Sequence, residues 1–361
     1  MISKAKEYHK RPIRLVVVDD SALTIEIIRR MLANVPEINL VGAARSGMEA
    51  LELINELDPD VICTDFHMPG MDGIELTKAV MLARPKPILI MSASVQADQT
   101  ENIFRMLEAG AVDILAKPEG GMSMDYGAMA QDFVEKIKVL SGVKVMRRRF
   151  ASQPLKDVPI VQTLGAELAE NTSVVGIGSS TGGPQALECI LRSLPKNFPI
   201  PIVCVQHITE GFILGLIDWL ASTCKIRVTL AREGEEPKPG VAYFAPDGQH
   251  LEISRRGRFE LSSEPHVGGH RPSVDHTFTS LAKNYGARSV GVLLTGMGRD
   301  GADGLLEIRR SGGFTIAQDE ESSIVFGMPK CAIDIGAAEI VLPLDSIAWR
   351  LMQLKGNAKH D

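Results

Sequence analysis

The amino-acid sequence predicts an α/β protein made of two consecutive blocks, each with a mostly parallel sheet. Short apolar runs alternate with helix-length amphipathic segments through both blocks. Within the runs the apolar residues are continuous, which is typical of parallel strands that are covered on both faces. This alternation is lost over residues 141–172, and the length of 361 residues also favours more than one domain.

The first block contains five strand-length runs separated by helical segments. In Ser21–Asn34, for example, apolar residues repeat every four positions, as expected of a helix that packs one face on a sheet. Five strands and five helices in alternation predict a doubly wound, flavodoxin-like (βα)5 fold. The predicted strands are Leu15–Val18, Leu40–Ala43, Val61–Cys63, Ile88–Met91 and Val112–Ala116, and the last helix is predicted at Tyr126–Leu140.

The second block is predicted to be a doubly wound, mostly parallel α/β sheet with a β-hairpin excursion. Turn signals at Asp247-Gly248 and Arg256-Gly257 indicate the hairpin. The predicted strands are Val174–Gly178, Ile202–Val205, Val241–Ala245 and Val290–Thr295, and the predicted helices are Pro184–Ser193, Gly211–Ala221 and Gly301–Arg310. Residues 141–172 are basic at first and then contain two prolines, so we expect domains at 11–140 and 173–354 with a linker between them.

Composition and charge exclude several classes of protein. Hydrophobic residues make up 45% and charged residues 23%, as in soluble globular proteins. The net charge of −6 gives no reason to expect binding to nucleic acid or to an anionic membrane. We also expect no membrane insertion, because no apolar run is long enough to span a bilayer. The five cysteines form no C-x-x-C pair, which favours reduced thiols and a cytoplasmic location.

Acidic and polar residues of the first block follow successive predicted strands. They are Asp19 and Asp20 after the first strand, Asp65 after the third, Ser92 after the fourth and Lys117 after the fifth. Because parallel strands end at one sheet edge, we expect these groups to converge, and clustered carboxylates favour Mg²⁺. A divalent ion beside Asp65 would allow phosphoryl transfer to its carboxylate. The alternative is that the acids only cap helices, which explains a single position better than five.

The first block resembles the receiver domain of response regulators across roughly Arg11–Leu140. The resemblance rests on Asp19-Asp20, the segment Thr64–Gly73, Ser92 and Lys117-Pro118. It implies that Asp65 is the phosphoacceptor and that a histidine kinase is the phosphodonor. It also implies that Asp20, Asp65 and the backbone carbonyl of His67 bind Mg²⁺ with help from Asp19 through water, and that Ser92 and Lys117 form the switch.

In the second block a predicted strand runs into the Gly-rich segment Gly178–Gly183, and Pro184 then opens a helix. This context suits a nucleophile elbow, in which glycines allow a sharp turn and backbone N–H groups face a developing oxyanion. The G-x-S-x-G spacing selects Ser180. Such a loop equally suits phosphate binding at a helix N-terminus, so the loop alone leaves both functions open.

A candidate base and a candidate acid follow two further strands of the second block. His207 directly ends a buried strand, and Asp300 lies in the Gly-rich turn after the strand Val290–Thr295. Together with Ser180 they would form a Ser–His–Asp triad at one sheet edge, in a chain order that differs from that of α/β-hydrolases. Three alternatives stay open. Asp275 or Asp303 would replace Asp300 as the acid, or Asp300 would only cap the helix that follows it.

The second block resembles the catalytic domain of the chemotaxis protein-glutamate methylesterases from Val174 to about Leu354. The motifs are Ser179–Gly183, Gln206-His207, His270–Asp275 and Thr295–Gly301. The resemblance implies Ser180 as nucleophile, His207 as base and Asp300 as orienting acid, with the backbone N–H groups of Met297 and Thr181 as oxyanion donors. The family often has alanine at the position of Ser179, so this chain offers two adjacent serines. The register of the resemblance assigns Ser180, and the G-x-S-x-G spacing agrees.

This second resemblance implies a function in chemotaxis adaptation. The substrates would be glutamyl methyl esters, and certain glutamines, on methyl-accepting chemoreceptors. Hydrolysis would need no cofactor, because Mg²⁺ would serve only the phosphorylation of the receiver, and the enzyme is expected to be a monomer. Two other functions stay open, namely a receiver fused to an inactive domain that docks on receptors, and a generic esterase or amidase that acts on small molecules.

Overall fold

The computed structural model describes residues 11–92, 97–118, 126–143, 145 and 171–356. These residues form two compact units, 11–145 and 171–356. The predicted linker, residues 141–172, lies largely outside the described residues, and the exact domain boundaries stay predictions. Within the described part of the chain, no helix combines the length and apolarity that a membrane span requires.

The first unit is a five-stranded sheet with the order β2-β1-β3-β4-β5, in which every pair of neighbours is parallel. Its strands are β1 Ile13–Val18, β2 Ile38–Ala44, β3 Val61–Asp65, β4 Ile88–Ser92 and β5 Asp113–Ala116. Its helices are α1 Ala22–Leu32, α2 Gly47–Leu57, α3 Gly73–Ala83, α4 Ala97–Ala109 and α5 Tyr126–Leu140. Strands β3 and β4 are buried at every position, which confirms the doubly wound fold predicted from the apolar runs.

Short polar side chains start three helices of the first unit. Ser21 accepts a hydrogen bond from the N–H of Thr24 at the start of α1, and Ser46 accepts one at the start of α2. Asp72 and Glu75 form a capping box at the start of α3. Two of these helices, α1 and α3, begin shortly after β1 and β3. Their caps therefore hold the backbone next to the acidic residues Asp19, Asp20 and Asp65 at the ends of these strands.

The second unit contains a seven-stranded parallel sheet with the order β14-β13-β12-β6-β7-β9-β8. Its strands are β6 Val174–Ser179, β7 Ile202–Gln206, β8 Arg227–Leu230, β9 Val241–Phe244, β12 Ser289–Leu293, β13 Phe314–Gln318 and β14 Ile340–Leu342. Strands β10 His250–Ile253 and β11 Phe259–Ser262 pair antiparallel as a separate hairpin. The parallel sheet and the hairpin confirm the predicted architecture.

Six helices cover this sheet, and one of them leads directly to the candidate site. They are α6 Gly183–Ser193, α7 Ile213–Thr223, α8 Val274–Tyr285, α9 Ala302–Arg310, α10 Met328–Asp334 and α11 Leu344–Met352. Helix α8 packs closely on β6, and only glycine leaves enough room at two positions of that strand. A Cβ atom added at Gly178 would lie 2.2 Å from Val274, and one added at Gly176 would lie 2.6 Å from Leu281. The two glycines therefore bring the start of α8 to the end of β6.

Candidate active site and candidate phosphorylation site

The candidate nucleophile lies at the end of the central strand of the second unit. Ser180 is the first residue after β6 and is half-buried. Its N–H donates to the carbonyl of Thr295 at 3.0 Å, and its carbonyl accepts from the N–H of Gly183 at 2.7 Å. Gly182 has a φ of 76°, a left-handed conformation that favours glycine, and α6 begins at the next residue. The predicted strand–turn–helix arrangement is confirmed.

The preceding serine, Ser179, belongs to the interior. Its side chain is fully buried, and its Oγ donates to Oε1 of Gln206 at 2.6 Å. A hydroxyl that is buried and bonded in this way is closed to a substrate, whereas Ser180 is partly accessible. The geometry therefore favours Ser180 as the nucleophile, as the G-x-S-x-G spacing predicts.

The side-chain amide of Gln206 connects the candidate nucleophile to the candidate base. Its Nε2 donates to the carbonyl of Ser180 at 2.8 Å and to the carbonyl of His207 at 2.7 Å. Strands β6 and β7 pair with Ser179 opposite Gln206, so Ser180 and His207 are the next residues on the two neighbouring strands. The side-chain amide of Gln206 fits here only because position 183 is a glycine. A Cβ atom at that position would lie 2.0 Å from Oε1 of Gln206.

We expect Gln206→Glu to lower kcat for ester hydrolysis by about 10- to 100-fold. The substitution keeps the shape of the side chain, but a carboxylate cannot donate to two carbonyl oxygens, and each unmet buried group costs roughly 1–3 kcal/mol. Steady-state hydrolysis of an activated ester checks the rate, and circular dichroism checks that the variant is folded. A folded variant with the wild-type kcat would show that this amide does not set the position of the site.

A histidine and an aspartate meet above the end of β6. Nε2 of His207 lies 2.8 Å from Oδ2 of Asp300, and the two side chains are 9% and 3% exposed. His207 follows β7, whereas Asp300 lies in the turn between β12 and α9. Because β7 and β12 flank β6 on opposite sides, their contact passes over the strand end from which Ser180 emerges. The structure therefore places all three predicted triad residues at one point of the sheet edge.

The second ring nitrogen of His207 is free to take a proton. Both ring nitrogens are buried and lack a hydrogen bond of regular geometry among the residues that the structure describes, but Nε2 is in ion-pair contact with Oδ2 of Asp300. Buried polar atoms in proteins nearly always have a partner, so an unpaired one is typical of a site that receives a ligand or a proton. With Nε2 against Asp300, Nδ1 is the nitrogen left for Ser180. This is the reverse of the chymotrypsin-type triad, in which the acid binds Nδ1.

Asp300 is held by the first turn of α8. The N–H of Val274 donates to its Oδ2 at 2.7 Å, and the N–H of Asp275 donates to its Oδ1 at 3.0 Å. The positive end of the helix dipole also favours an anion at this place. Burial alone would raise the pKa of Asp300, but its contacts with His207 and with these two N–H groups outweigh burial and hold the pKa well below its usual value. Asp300 is therefore ionised at neutral pH.

The acids that competed with Asp300 in the sequence have other partners. Oδ1 of Asp275 accepts from the N–H of Gly304 in the first turn of α9 at 2.6 Å. Asp303 lies on the surface and forms an ion pair with Arg299 at 2.6 Å. The alternative that Asp300 only caps the helix that follows it is wrong, because its carboxylate binds the start of α8 instead.

The loop after β12 lies against the candidate nucleophile. A Cβ on Gly296 would be 2.8 Å from Cβ of Ser180, so Met297, the next residue, is near the site. Thr181 directly follows Ser180, and its carbonyl accepts from Oγ1 of Thr295 at 3.0 Å, which joins the two loops. The N–H groups of Met297 and Thr181 are thus near the nucleophile, and their assignment as oxyanion donors stays a prediction.

The first unit gathers three acids and a lysine at the carboxyl edge of its sheet. Carboxylate oxygens of Asp19, Asp20 and Asp65 lie within 4.8 Å of one another. Nζ of Lys117 lies 2.9 Å from Oδ2 of Asp19 and 2.8 Å from Oδ2 of Asp65. The structure therefore brings together the acids that the sequence places at the ends of β1 and β3, and the lysine that follows β5.

The charges of this cluster fit a divalent cation. Burial raises the pKa of Asp19, although Lys117 opposes this shift. Burial alone would lower the pKa of Lys117, but its hydrogen bonds to Asp19 and Asp65 outweigh burial, and the pKa is raised. Three carboxylates against one ammonium group leave two negative charges, and oxygen atoms are the ligands that Mg²⁺ prefers. The residues present therefore fit Mg²⁺.

Two further predicted receiver residues lie at the same edge. Ser92 is the last residue of β4 and is buried, and its carbonyl accepts from the N–H of Lys117 at 2.8 Å. His67 is the second residue after β3, and its side chain is exposed, as expected for an imidazole that is not a ligand. The role of Ser92 in switching and that of the His67 carbonyl as a metal ligand stay predictions.

Comparison with known proteins identifies both units. Residues 175–351 match the CheB methylesterase family, and residues 15–124 match the response regulator receiver domain family. The chain is 42% identical over 348 residues to a protein-glutamate methylesterase/protein-glutamine glutaminase of Syntrophus aciditrophicus, which covers 96% of this chain and 99% of the relative. A relative of the same description from Pseudomonas aeruginosa is 41% identical over 345 residues, with 95% and 97% covered. The chain belongs to the protein-glutamate methylesterase/protein-glutamine glutaminase family.

A solved structure supports the same family for the second unit. The CheB methylesterase catalytic domain of Thermotoga maritima is 44% identical and gives a TM-score of 0.50, with 51% of this chain and 98% of that chain covered. The family membership and the α/β fold that the sequence predicted are therefore confirmed. The roles of individual site residues in this member of the methylesterase family rest on the geometry described above.

Sequence reasoning did not assign a role to a second histidine of this methylesterase-family site. The rings of His270 and His207 stack with their centroids 3.9 Å apart and an angle of 7° between their planes. Burial, and next to it the neighbouring His207, lower the pKa of His270 to about 4. His270 is therefore neutral at pH 7, and its uncharged ring lies flat on the candidate base. The sequence signal was only its place in the motif His270–Asp275.

We expect His270→Phe to reduce the loss of stability in acid. The folded pKa of His270, about 4, lies below its usual value of about 6.5. Between these pH values the unfolded chain binds a proton that the folded chain does not, so this histidine lowers stability as the pH falls. Phenylalanine keeps a stacked ring and cannot titrate.

Calorimetry of wild type and His270→Phe at pH 7.5 and pH 4.5 checks this expectation. The fall in Tm of the second unit between the two pH values should be smaller in the variant. Asp275, whose pKa burial raises to about 6, shifts stability in the opposite direction, but it is present in both proteins and cancels in the comparison. An equal or larger fall in the variant would contradict the assignment.

Proposed function

We propose that the chain hydrolyses glutamyl methyl esters on methyl-accepting chemoreceptors and deamidates certain of their glutamines, under the control of phosphorylation at Asp65. The observation that carries the catalytic part is the contact of His207 with Asp300 above the strand end that bears Ser180. The names of its relatives, protein-glutamate methylesterase/protein-glutamine glutaminase, support the choice of substrate.

The first half of the reaction forms an acyl-enzyme. Oγ of Ser180 attacks the ester carbonyl carbon, and Nδ1 of His207 takes the hydroxyl proton. Asp300, which is ionised and held by α8, stabilises the imidazolium through Nε2. The N–H groups of Thr181 and Met297 donate to the oxygen on which negative charge develops. His207 then gives its proton to the leaving methoxide, and methanol departs.

The second half restores the serine. A water molecule gives a proton to His207 and attacks the acyl carbonyl, and the Ser180 alkoxide leaves and takes the proton back. The receptor side chain becomes a glutamate. With a glutamine side chain the same steps release ammonia instead of methanol, so one site accounts for both activities.

The receiver site would control this chemistry through Asp65. Its Oδ1 accepts from the N–H of Phe66 at 2.7 Å, and its Oδ2 contacts Lys117. With Asp20 and Asp19 it would hold Mg²⁺, which when bound neutralises negative charge on the phosphoryl oxygens.

Two side chains would respond to the phosphoryl group, which a histidine kinase supplies. The ammonium group of Lys117 would then pair with a phosphoryl oxygen, and the Ser92 hydroxyl would hydrogen-bond another. The acyl phosphate at Asp65 would carry roughly 1.5 to 2 negative charges in place of the single charge of the carboxylate, so the surface near these two residues reorganises.

We expect the phosphodonor acetyl phosphate to label wild-type protein in a Mg²⁺-dependent reaction and to leave Asp65→Asn unlabelled. Without the cation, the three clustered acids would repel an anionic donor. Asp72→Asn is the matched control, because this acid caps α3 outside the cluster and asparagine is also a good N-cap. Mass spectrometry of the intact proteins reads the label. Labelling of a different acid in Asp65→Asn, or full labelling of wild type in the presence of a chelator, would refute the assignment.

Substrate comparison separates the proposal from its two rivals. The protein is given a methylated receptor fragment and, in a second reaction, a small activated ester, and methanol or the alcohol product is measured. Release of methanol from the receptor, with competition by the receptor against the small ester, supports the proposal. A docking module would hydrolyse neither substrate, and a generic esterase would hydrolyse only the small ester.

A further inference from the structure

Asp300 has a side-chain partner besides His207. Oγ of Ser273 donates to Oδ1 of Asp300 at 2.8 Å. Ser273 is the N-cap residue of α8, and the same Oγ accepts from the N–H of His276 at 3.2 Å. Because the hydroxyl has a single proton and accepts from the helix, that proton is directed to Asp300.

A buried histidine binds the backbone of Ser273. The backbone N–H of Ser273 donates to Nδ1 of His250 at 3.2 Å. Since Nδ1 is the acceptor, Nε2 of His250 carries the proton and donates to the carbonyl of Pro265 at 3.1 Å. Both Ser273 and His250 are fully buried, so the serine is held on its backbone side and on its hydroxyl side.

The hydroxyl is one of three donors that restrict rotation of the Asp300 carboxylate. For Oδ2 to contact His207, the carboxylate plane must be fixed about its Cβ–Cγ bond, and this terminal torsion is broad in carboxylates. The N–H of Val274 binds Oδ2, while Oδ1 receives the N–H of Asp275 and the hydroxyl of Ser273. Ser273 thus adds a side-chain donor to the two backbone N–H groups that bind this carboxylate.

We propose that Ser273 is a positioning residue whose hydroxyl holds the Asp300 carboxylate in the orientation that contacts His207. The inference rests on the proposed role of Asp300 in the triad. The simpler alternative is that Ser273 only caps α8. In that case its loss would lower stability and leave the rate per folded molecule unchanged.

The test compares Ser273→Ala with the matched variant Ser280→Ala in the full chain. Ser280 lies two turns along α8, is buried, and accepts from the N–H of Ile253 while donating to the carbonyl of Thr277. Both variants lose a buried hydroxyl of the same helix, but only Ser273 touches Asp300. With an activated ester we expect kcat to fall about 10- to 100-fold in Ser273→Ala with KM unchanged, and to stay near wild type in Ser280→Ala.

Two more variants make the comparison decisive. Ser273→Thr keeps the hydroxyl and should recover most of kcat. Ser273→Gly keeps a favourable N-cap residue without a hydroxyl, so it should lose kcat as Ser273→Ala does, and it replaces that variant if the alanine protein does not fold. If Ser273→Ala and Ser273→Gly both had the same kcat as Ser280→Ala, the proposal would be overturned.

A double-mutant cycle shows whether the effect passes through Asp300. In an Asp300→Ala background, Ser273→Ala should lower kcat by less than twofold, because the carboxylate it positions is gone. The same 10- to 100-fold loss in that background would refute a role through Asp300. Failure of the proposed catalytic site itself has a different signature, since Ser180→Ala would then keep the wild-type activity on the same ester.

Discussion

Replacement of Ser180 by alanine is expected to lower hydrolysis of a receptor methyl ester by about 10⁴-fold or more. Without Oγ no acyl-enzyme forms, and the remaining rate is that of water at the same site. The fold should be unaffected, because the contacts that hold residue 180 in place are backbone hydrogen bonds to Thr295, Gly183 and Gln206. Methanol release from a methylated receptor fragment measures the loss.

Ser179→Ala is the matched control for this prediction. The two serines are adjacent, but Ser179 is fully buried and bonded to Gln206. Its loss removes one hydrogen bond and should change kcat by about tenfold or less. If Ser179→Ala abolished activity while Ser180→Ala stayed near wild type, the nucleophile would be Ser179 and the assignment of Ser180 would be wrong.

Asp300→Asn is expected to lower kcat by roughly 10⁴-fold. The asparagine keeps the size of the side chain but has no charge to stabilise the imidazolium of His207. Its amide nitrogen also favours the wrong tautomer of His207, because a donor facing Nε2 would require Nε2 to be the acceptor. The proton would then reside on Nδ1, the nitrogen that has to receive it from Ser180.

Asp303→Asn serves as the control for charge alone. Asp303 is three residues away on the exposed face of α9 and pairs with Arg299. An exposed ion pair contributes roughly 0–1 kcal/mol, so this variant should hydrolyse the ester at close to the wild-type rate. A severe loss of kcat in Asp303→Asn together with a mild loss in Asp300→Asn would show that Asp303, and not Asp300, is the orienting acid.

The positions of the main site residues were predictable because strand ends are predictable. Continuous apolar runs located β6, β7 and β12 closely enough to place Ser180, His207 and Asp300 at one sheet edge. The same reasoning placed Asp65 and Lys117 in the first unit. In both cases the decisive fact is that parallel strands end on one side of a sheet.

The partners of these residues were not predictable, because they depend on how distant segments pack. In the sequence Gln206 is only the last residue of a buried strand. The pairing of β6 with β7 in the structure places its side-chain amide within hydrogen-bond distance of the Ser180 carbonyl. Asp300 was predicted to be the orienting acid, but nothing in the sequence indicated that its carboxylate binds α8, a helix earlier in the chain. The close approach of α8 to β6, and with it the contact of Ser273 with Asp300, depends on two glycines in β6.

Several elements of the second unit were also missed, for reasons that the structure makes clear. Strands β8, β13 and β14 were not predicted. The edge strands β8 and β14 have only four and three residues and are half-exposed, so they lack a continuous apolar run. Strand β13 is buried at every position, but its apolar run is interrupted by Thr315 and ends at Gln318. At α7 the predicted start was two residues early. Gly211 has a φ of 91° and donates its N–H to Asp247, and the helix begins at Ile213.

The most direct test of the whole account measures methanol release from a methylated receptor fragment with and without acetyl phosphate and Mg²⁺. Wild-type protein should release methanol and should release it faster with the phosphodonor. Asp65→Asn should release methanol at the unstimulated rate under both conditions, and release by Ser180→Ala should be lower than that of wild type by about 10⁴-fold or more. Methanol release by Ser180→Ala at the wild-type rate, or equal stimulation of Asp65→Asn by the phosphodonor, would contradict it.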